Sequence, residues 1–157
     1  MVKTMLGISM VMGLGWDGTP SAWHTDYSKA HAEACSTDKP LFIVLCSESS
    51  EYGRMAALGT FLSDAIERHL QADYVRVMIN TDSASGQELA RQFECTGDIH
   101  FAILDRSGRW QVYYKTGYLL EDDLRPVLAQ FRRTKLAANG QPVREPTRRP
   151  TIQLCST

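Results

Sequence analysis

The sequence predicts one α/β domain with a mixed central β-sheet and helices on both faces. In the first half, apolar runs of strand length alternate with helical patterns, which indicates parallel β-α-β units. In the second half, two strand-like runs are separated only by the turn residues at 106–108, which indicates an antiparallel hairpin. Parallel and antiparallel neighbours in one domain make the predicted sheet mixed.

Length and charge limit the classes of partner. The chain has 157 residues, a formal net charge of -1 and 43% hydrophobic residues, which suits a single globular core. This near-neutral balance gives no electrostatic reason to expect a nucleic acid or a membrane surface as partner. No apolar run reaches the roughly 18 residues needed to cross a bilayer, so we expect no membrane insertion.

The elements are predicted in the order α-β-α-β-α-β-β-α. Asp26 is the expected N-cap of the first helix, and Lys39-Pro40 ends it. The run LFIVLC then predicts a strand buried on both faces. The next helical pattern covers 51–70, and Gly59-Thr60 is expected to kink or split it.

The second half supplies the remaining elements. YVRVMINTD predicts the second strand, SGQELARQF a short helix, and FAILD with WQVYYKTG the hairpin. A helix across 119–133 closes the domain, and we expect its regular part to begin near Asp122, with Pro126 in or near the first turn.

The two ends differ from the domain at 23–133. Lys3, the run MLGISMVMGLGW and the small residues after it are typical of a secretory signal, so residues 1–22 are predicted to be a signal or a disordered segment. Export to the periplasm or outside the cell is therefore expected, and a cytoplasmic protein with a frayed N-terminus is the alternative. Residues 134–157 contain three prolines and several arginines, and predict a flexible basic tail.

The four cysteines are Cys35, Cys46, Cys95 and Cys155. None of them is spaced as CxxC, which excludes a zinc ribbon and an adjacent dithiol motif. Their even number leaves disulfides open, but the spacing does not give the pairing.

Three segments resemble the exported, disulfide-interchange type of thioredoxin-like protein. They are WHTDYSKAHAEACSTDKPLFIVL, FLSDAIERHLQADYVRVMINTD and FECTGDIHFAILDRSGRWQVYYKTGY. The resemblance covers roughly 23–133 and implies a thioredoxin-like fold. It also implies a redox motif at the start of the helix that follows the first strand.

The positions of that redox motif carry no sulfur in this chain. Counted from Lys39-Pro40, the two cysteines of the family fall on Ser50 and Gly53, with Glu51 and Tyr52 between them. Dithiol exchange needs a thiolate and a resolving thiol, so the resemblance implies a redox-inactive site.

The cis-proline of the family also has no equivalent. Its position falls on Ile99, or on His100 after a shift of one residue. A cis peptide before a residue other than proline costs about 3 kcal/mol, so we expect Ile99 to be trans.

The first functional hypothesis is a non-catalytic module that binds a protein or peptide in the former substrate groove. Ser50 suits a helix N-cap and Glu51 suits the first turn, so the segment is an ordinary helix start. Tyr52 is expected to be exposed at the rim as an anchor. The expected groove consists of Ser50, Glu51, Tyr52, Ile99 and His100.

Two enzymatic alternatives remain. Cys46 lies at the end of the first strand and Cys95 precedes the Ile99 segment, so the two could form a displaced redox pair; otherwise both are buried apolar residues. Ser50 and His100 could instead face each other with Asp98 or Asp105 as the orienting carboxylate of a hydrolase.

We predict no metal and no cofactor. His31 and Cys35 have a usable metal-ligand spacing on the first helix, but no third donor is apparent in the sequence. The default for the pair is a solvated histidine and a semi-buried cysteine.

Trp110 and one of Tyr113 and Tyr114 are expected to cover the sheet.

Overall fold

The computed structural model describes residues 23–57, 61–136 and 138–141. The predicted signal segment at 1–22 and most of the predicted tail, from 142 onward, lie outside the described residues. In the described part, no helix is long and apolar enough to cross a membrane.

The described chain contains five helices and four strands. Their order agrees with the predicted one, except that the long helical pattern at 51–70 forms two helices. The described residues 61–63 are not helical, and the predicted break at Gly59-Thr60 itself lies outside the described residues. The elements are α1 Tyr27–Thr37, β1 Leu41–Cys46, α2 Glu51–Ala57, α3 Asp64–Asp73, β2 Val75–Asn80, α4 Ala84–Gln92, β3 Ile99–Leu104, β4 Gln111–Thr116 and α5 Glu121–Phe131.

The four strands form one mixed sheet in the order β2-β1-β3-β4. Strands β1 and β2 are parallel, from Leu41 opposite Val75 to Cys46 opposite Asn80. Strand β3 is antiparallel to β1 and places Ile99 opposite Cys46, and β4 returns antiparallel on β3. The predicted mixed α/β sheet is confirmed.

The core has two layers because successive side chains of β1 point to opposite faces of the sheet. The first face carries Phe42, Val44 and Cys46 and packs against α2, α3 and α5. The second face carries the alternate residues of β1 and packs against α1 and α4. All six residues of β1 are buried, as its unbroken apolar pattern predicts.

Side-chain caps set the start of several helices. Asp26 accepts a hydrogen bond from the backbone N–H of Lys29, which confirms the predicted N-cap of α1. Ser63 and Ser83 cap α3 and α4 in the same way. The cap of α3 is tied to α5, because the Ser63 N–H and hydroxyl donate to the Glu121 carboxylate at 2.8 and 2.9 Å.

Two boundaries differ from the prediction. Strand β3 begins at Ile99, two residues before the run FAILD, because Ile99 pairs with Cys46 at the end of β1. Helix α5 begins at Glu121, so Pro126 lies inside the helix. Proline has no N–H, so this turn lacks one backbone hydrogen bond, while buried Leu124 and Leu128 hold the helix on the sheet.

The first residues of the predicted tail are attached to the domain. Arg106 N–H donates to the Thr134 carbonyl at 3.0 Å, and Leu136 N–H donates to the buried Asp105 carboxylate at 2.8 Å. The ordered domain therefore extends beyond residue 133, to at least Leu136. Composition alone could not indicate this, because the attachment depends on a carboxylate about 30 residues earlier in the chain.

Candidate functional site at the start of α2

Ser50 is the cap of α2, and its hydroxyl both donates and accepts a hydrogen bond there. The hydroxyl donates to the Ser47 carbonyl at 2.6 Å and accepts from the Gly53 N–H at 3.0 Å. The acidic residue of the first turn is Glu51, whose charge suits the positive end of the helix. The segment is the ordinary helix start that the sequence predicted.

Gly53 is buried against the backbone of the preceding loop. A Cβ atom at this position would lie 2.2 Å from the Ser47 carbonyl oxygen and 2.8 Å from the Glu48 Cα. Real side chains do not tolerate such distances to backbone atoms. The position that the resemblance aligns with the second cysteine of the motif therefore has no room for a cysteine without movement of the loop.

Asp82 holds that loop in place. Its carboxylate, at the end of β2, accepts from the Ser47 hydroxyl at 2.9 Å and the Glu48 N–H at 3.1 Å. The carboxyl ends of two adjacent parallel strands are thereby joined. Asp82 is not among the predicted site residues, although polar residues after each of two parallel strands indicate that their loops meet.

A groove of about 330 Å³ opens beside the start of α2. One wall consists of the loop after β1 and the first turn of α2. The other is formed by the residues before β3 and after β4, including Asp98 and the exposed Tyr118. The lining residues are Ser47, Ser49, Ser50, Glu51, Tyr52, Gly97, Asp98, Ile99, Thr116, Gly117 and Tyr118.

Tyr52 lines this groove but is not exposed as predicted. Its ring is half-buried against the first core face and contacts the rings of Tyr118 and Phe61, at 4.8 and 6.1 Å between centroids. Burial raises the pKa of the Tyr52 hydroxyl, and Tyr118 and Glu51 add to the increase. Within the described part of the chain, this buried hydroxyl has no hydrogen-bond partner. The exposed aromatic residue of the groove is Tyr118, which the sequence pattern did not single out.

Ile99 forms the floor of the groove. It is buried, and the peptide bond before it is trans, as predicted. The Gly117 N–H donates to the Ile99 carbonyl at 3.0 Å, so the position that the resemblance aligns with a cis-proline is paired strand backbone in this structure.

His100 does not line the groove, which corrects the predicted composition of this site. Adjacent strand residues face opposite sides, so His100 points to the second face while Ile99 points to the first. Its Nδ1 lies 3.0 Å from the Thr116 hydroxyl, and its ring stacks on Tyr114. Burial lowers the pKa of His100, and among the described residues its Nε2 has no hydrogen-bond partner.

The structure does not assemble the Ser50 and His100 pair of the hydrolase alternative. The Ser50 hydroxyl is engaged in its own cap, and His100 lies on the other face. Asp105 is at the far end of β3, roughly 16 Å from His100 at 3.3 Å per residue. Its carboxylate instead accepts from Ser107, Trp110 and Leu136.

Cys46 and Cys95 also lie apart. Cys46 belongs to the first core face and Cys95 packs against the second, and both are free thiols. Burial raises the pKa of the Cys46 thiol, with Asp82 and Glu48 adding to it, and burial raises the pKa of Cys95 to about 11. Both surroundings disfavour the thiolate that disulfide exchange requires.

His31 and Cys35 are adjacent, as their helical spacing indicates. Cys35 Sγ lies 3.9 Å from Nδ1 and 4.0 Å from Nε2 of His31. Among the described residues, no group of three or more His, Cys, Asp or Glu side chains could hold a metal ion. Cys35 is exposed, which corrects the expectation of a semi-buried thiol.

A larger concavity of about 1110 Å³ follows the outer edge of β2. Its apolar wall includes Trp23, Phe61 and Met78. Of the predicted site residues it contacts only Cys46 and Gly53, from the side opposite the groove, so it is not the predicted site.

Comparisons with solved structures agree on the fold. A thioredoxin from Thermus thermophilus matches with a TM-score of 0.61 and 24% identity, over 71% of this chain and 87% of the other. Thioredoxin NaTrxh from Nicotiana alata matches with a TM-score of 0.54 and 17% identity, over 76% and 100%. Thioredoxin O2 from Arabidopsis thaliana, in the oxidized state, matches with a TM-score of 0.55 and 8% identity, over 73% and 98%.

The fold is thioredoxin-like. No protein-family model matches the chain, and no curated protein is significantly similar to it. The structural similarity establishes the fold. Because the sequence identities are low, the activity has to be argued from the site.

Proposed function

We propose that this thioredoxin-like domain is a non-catalytic module that binds an extended protein or peptide segment in the groove beside α2. The observation that carries the proposal is a groove without sulfur, lined by an exposed tyrosine, Tyr118, and a tyrosine hydroxyl, Tyr52, that lacks a partner among the described residues. A peptide carbonyl could accept the hydrogen bond from Tyr52, and Tyr118 could serve as an aromatic anchor.

The charges of the groove narrow the expected ligand. Among the described residues, its lining contains Glu51 and Asp98 and no lysine or arginine. A neutral or basic segment would therefore bind better than an acidic one. A groove of this size accommodates a few residues of peptide, so we expect weak, salt-sensitive binding.

The absence of dithiol chemistry is part of the proposal. Gly53 and the Ser50 cap support it, because the contact between Gly53 and the Ser47 carbonyl leaves no space for a second sulfur. The resemblance to the disulfide-interchange type would then concern ancestry and not activity.

The test uses a library of random peptides and the matched pair Tyr118→Ala and Tyr114→Ala. Both tyrosines are largely exposed, but Tyr118 lines the groove and Tyr114 stacks on His100 at the second face. Selected peptides should shift the NMR signals of residues 50–53 and 97–99. Tyr118→Ala should lower the affinity for these peptides about tenfold, a loss typical of an aromatic anchor. Equal losses for both variants, or selection of no peptide, would refute the groove proposal.

The second candidate is a thiol-disulfide oxidoreductase that uses Cys46 and Cys95. What favours it is the similarity to thioredoxins, one of them described in the oxidized state. The two thiols lie on opposite faces of the sheet, so this function would require a rearrangement of the segment before β3. A redox titration followed by alkylation decides: a Cys46–Cys95 bond with a potential between about -120 and -270 mV would support it.

We further propose that the protein is exported, with cleavage before the domain that begins near residue 23. The support is the pattern of Lys3, an apolar run and small residues. N-terminal sequencing of the mature protein from a secreting host tests this. An intact Met1 on the cytoplasmic protein would contradict it.

A further inference from the structure

We propose that Cys35 and His31 form a thiol–imidazole pair that makes Cys35 a site of S-thiolation by low-molecular-weight disulfides such as glutathione disulfide. The pair lies near the end of α1, against the β3–β4 turn, so this inference is independent of the groove. It also differs from the oxidoreductase alternative, since it needs a single protein thiol and no resolving cysteine.

The backbone of the β3–β4 turn orients the imidazole. His31 Nε2 lies 2.8 Å from the Gly108 carbonyl oxygen. A carbonyl only accepts, so Nε2 carries the proton, and in the neutral ring Nδ1 holds the free lone pair. Cys35 Sγ is 3.9 Å from that Nδ1 and 4.0 Å from Nε2, so the proton acceptor Nδ1 lies near the thiol.

The same contacts also favour the ion pair of a Cys35 thiolate and a protonated His31. After proton transfer to Nδ1, the Nε2–H bond to the Gly108 carbonyl still holds, and a hydrogen bond to a cation is stronger than one to a neutral ring. The ring of Tyr27 lies 5.7 Å from the imidazole and adds a favourable face for a cation. Cys35 is in the last turn of α1, where the helix dipole disfavours an anion, so the reactivity depends on His31.

The proposed reaction balances with one co-reactant. The Cys35 thiol gives its proton to His31 Nδ1, and the thiolate attacks one sulfur of glutathione disulfide. A bond forms between Cys35 and that sulfur while the original disulfide bond breaks. The leaving glutathione thiolate takes the proton from His31 and departs as glutathione.

Accessibility separates Cys35 from the other described thiols. Cys35 is exposed, whereas Cys46 is buried and Cys95 is half-buried. In the resting state the Cys35 thiol donates a hydrogen bond to the Ser107 carbonyl at 3.7 Å, and the sulfur stays at the surface. A small disulfide can therefore reach Cys35 in the folded protein.

The test follows thiolation of the full chain by glutathione disulfide, with mass spectrometry of each cysteine. Cys35 should be modified first, and His31→Gln should slow it about tenfold, because the thiolate is the attacking species. His69→Gln, on the exposed side of α3, is the matched control and should leave the rate unchanged. Free imidazole should partly restore the rate of His31→Ala, which a merely structural role of His31 would not produce.

Equal rates for the wild type and His31→Gln would overturn the proposal. So would modification of Cys46 or Cys95 before Cys35 in the folded chain. Thermal unfolding of each variant is measured first, and the imidazole rescue remains informative if His31→Gln lowers the unfolding temperature.

Discussion

The start of α2 and the last turn of α1 differ in whether they carry a thiol and in the groups that surround it. At the start of α2, where the family's motif would lie, the loop is closed by Ser50, Gly53 and Asp82, and no sulfur is present. At the end of α1, a thiol is exposed beside an oriented imidazole. Thiol chemistry depends on exposure and neighbouring groups, and these can change while the fold is kept.

The largest expected effect concerns the reactivity of the half-buried thiol Cys95. With a pKa of about 11, only roughly one part in ten thousand of Cys95 is thiolate at pH 7. Alkylation by iodoacetamide should therefore be slower for Cys95 than for Cys35 by orders of magnitude in the native protein, and similar for both in urea. Rapid native alkylation of Cys95 would contradict the comparison.

Adding a side chain at Gly53 should destabilise the domain. In Gly53→Cys the new Cβ would meet the Ser47 carbonyl, and we expect a loss of about 3 kcal/mol in the free energy of unfolding, as for an overpacked core site. Urea denaturation measures it. Ser50→Cys is the control, since it loses only the cap and should cost about 1 kcal/mol. Equal costs would show that the loop adapts easily.

Removing the carboxylate that holds the loop should have a smaller effect. Asp82→Ala loses the acceptor of the Ser47 hydroxyl and the Glu48 N–H, and we expect about 1 kcal/mol of destabilisation because the site is exposed. Asp98→Ala, an exposed carboxylate on the other wall of the groove, serves as the control and should change stability by less. The same denaturation experiment compares the two.

The smallest effect should be a pH dependence from His100. Burial lowers its folded pKa below that of the unfolded chain, so the folded state favours the neutral ring. The stabilisation is complete above the unfolded value of about 6.5 and is lost as the pH falls from there through the folded pKa. His100→Gln should flatten the unfolding temperature between pH 7 and pH 5 relative to the wild type. An unchanged slope would show that another titrating group causes the pH dependence.

The local pattern was enough to predict most of the fold. The unbroken apolar run of β1, the Asp26 cap and the turn at 106–108 each correspond to an observed feature. These signals are local, because cap, turn and strand propensities act over a few residues. The candidate loop was found in the same way, through a strand that ends just before a helix start.

The composition of the site was less predictable. Ile99 and His100 are neighbours in sequence, but strand alternation puts them on opposite faces once β3 begins at Ile99. Tyr52 and Tyr118 are far apart in sequence, and only packing decides which of the two is exposed. The start of a strand and the exposure of a ring both depend on distant partners.

The sequence by itself determined that this chain lacks an adjacent dithiol and forms a mixed α/β sheet, because spacing and periodicity are properties of the chain. The tertiary structure decided which thiol reaches the surface, which face receives His100, and that Gly53 has no room for a side chain. Each of these depends on non-local contacts: Cys35 with the β3–β4 turn, His100 with Thr116, and Gly53 with a loop that Asp82 holds from the end of another strand.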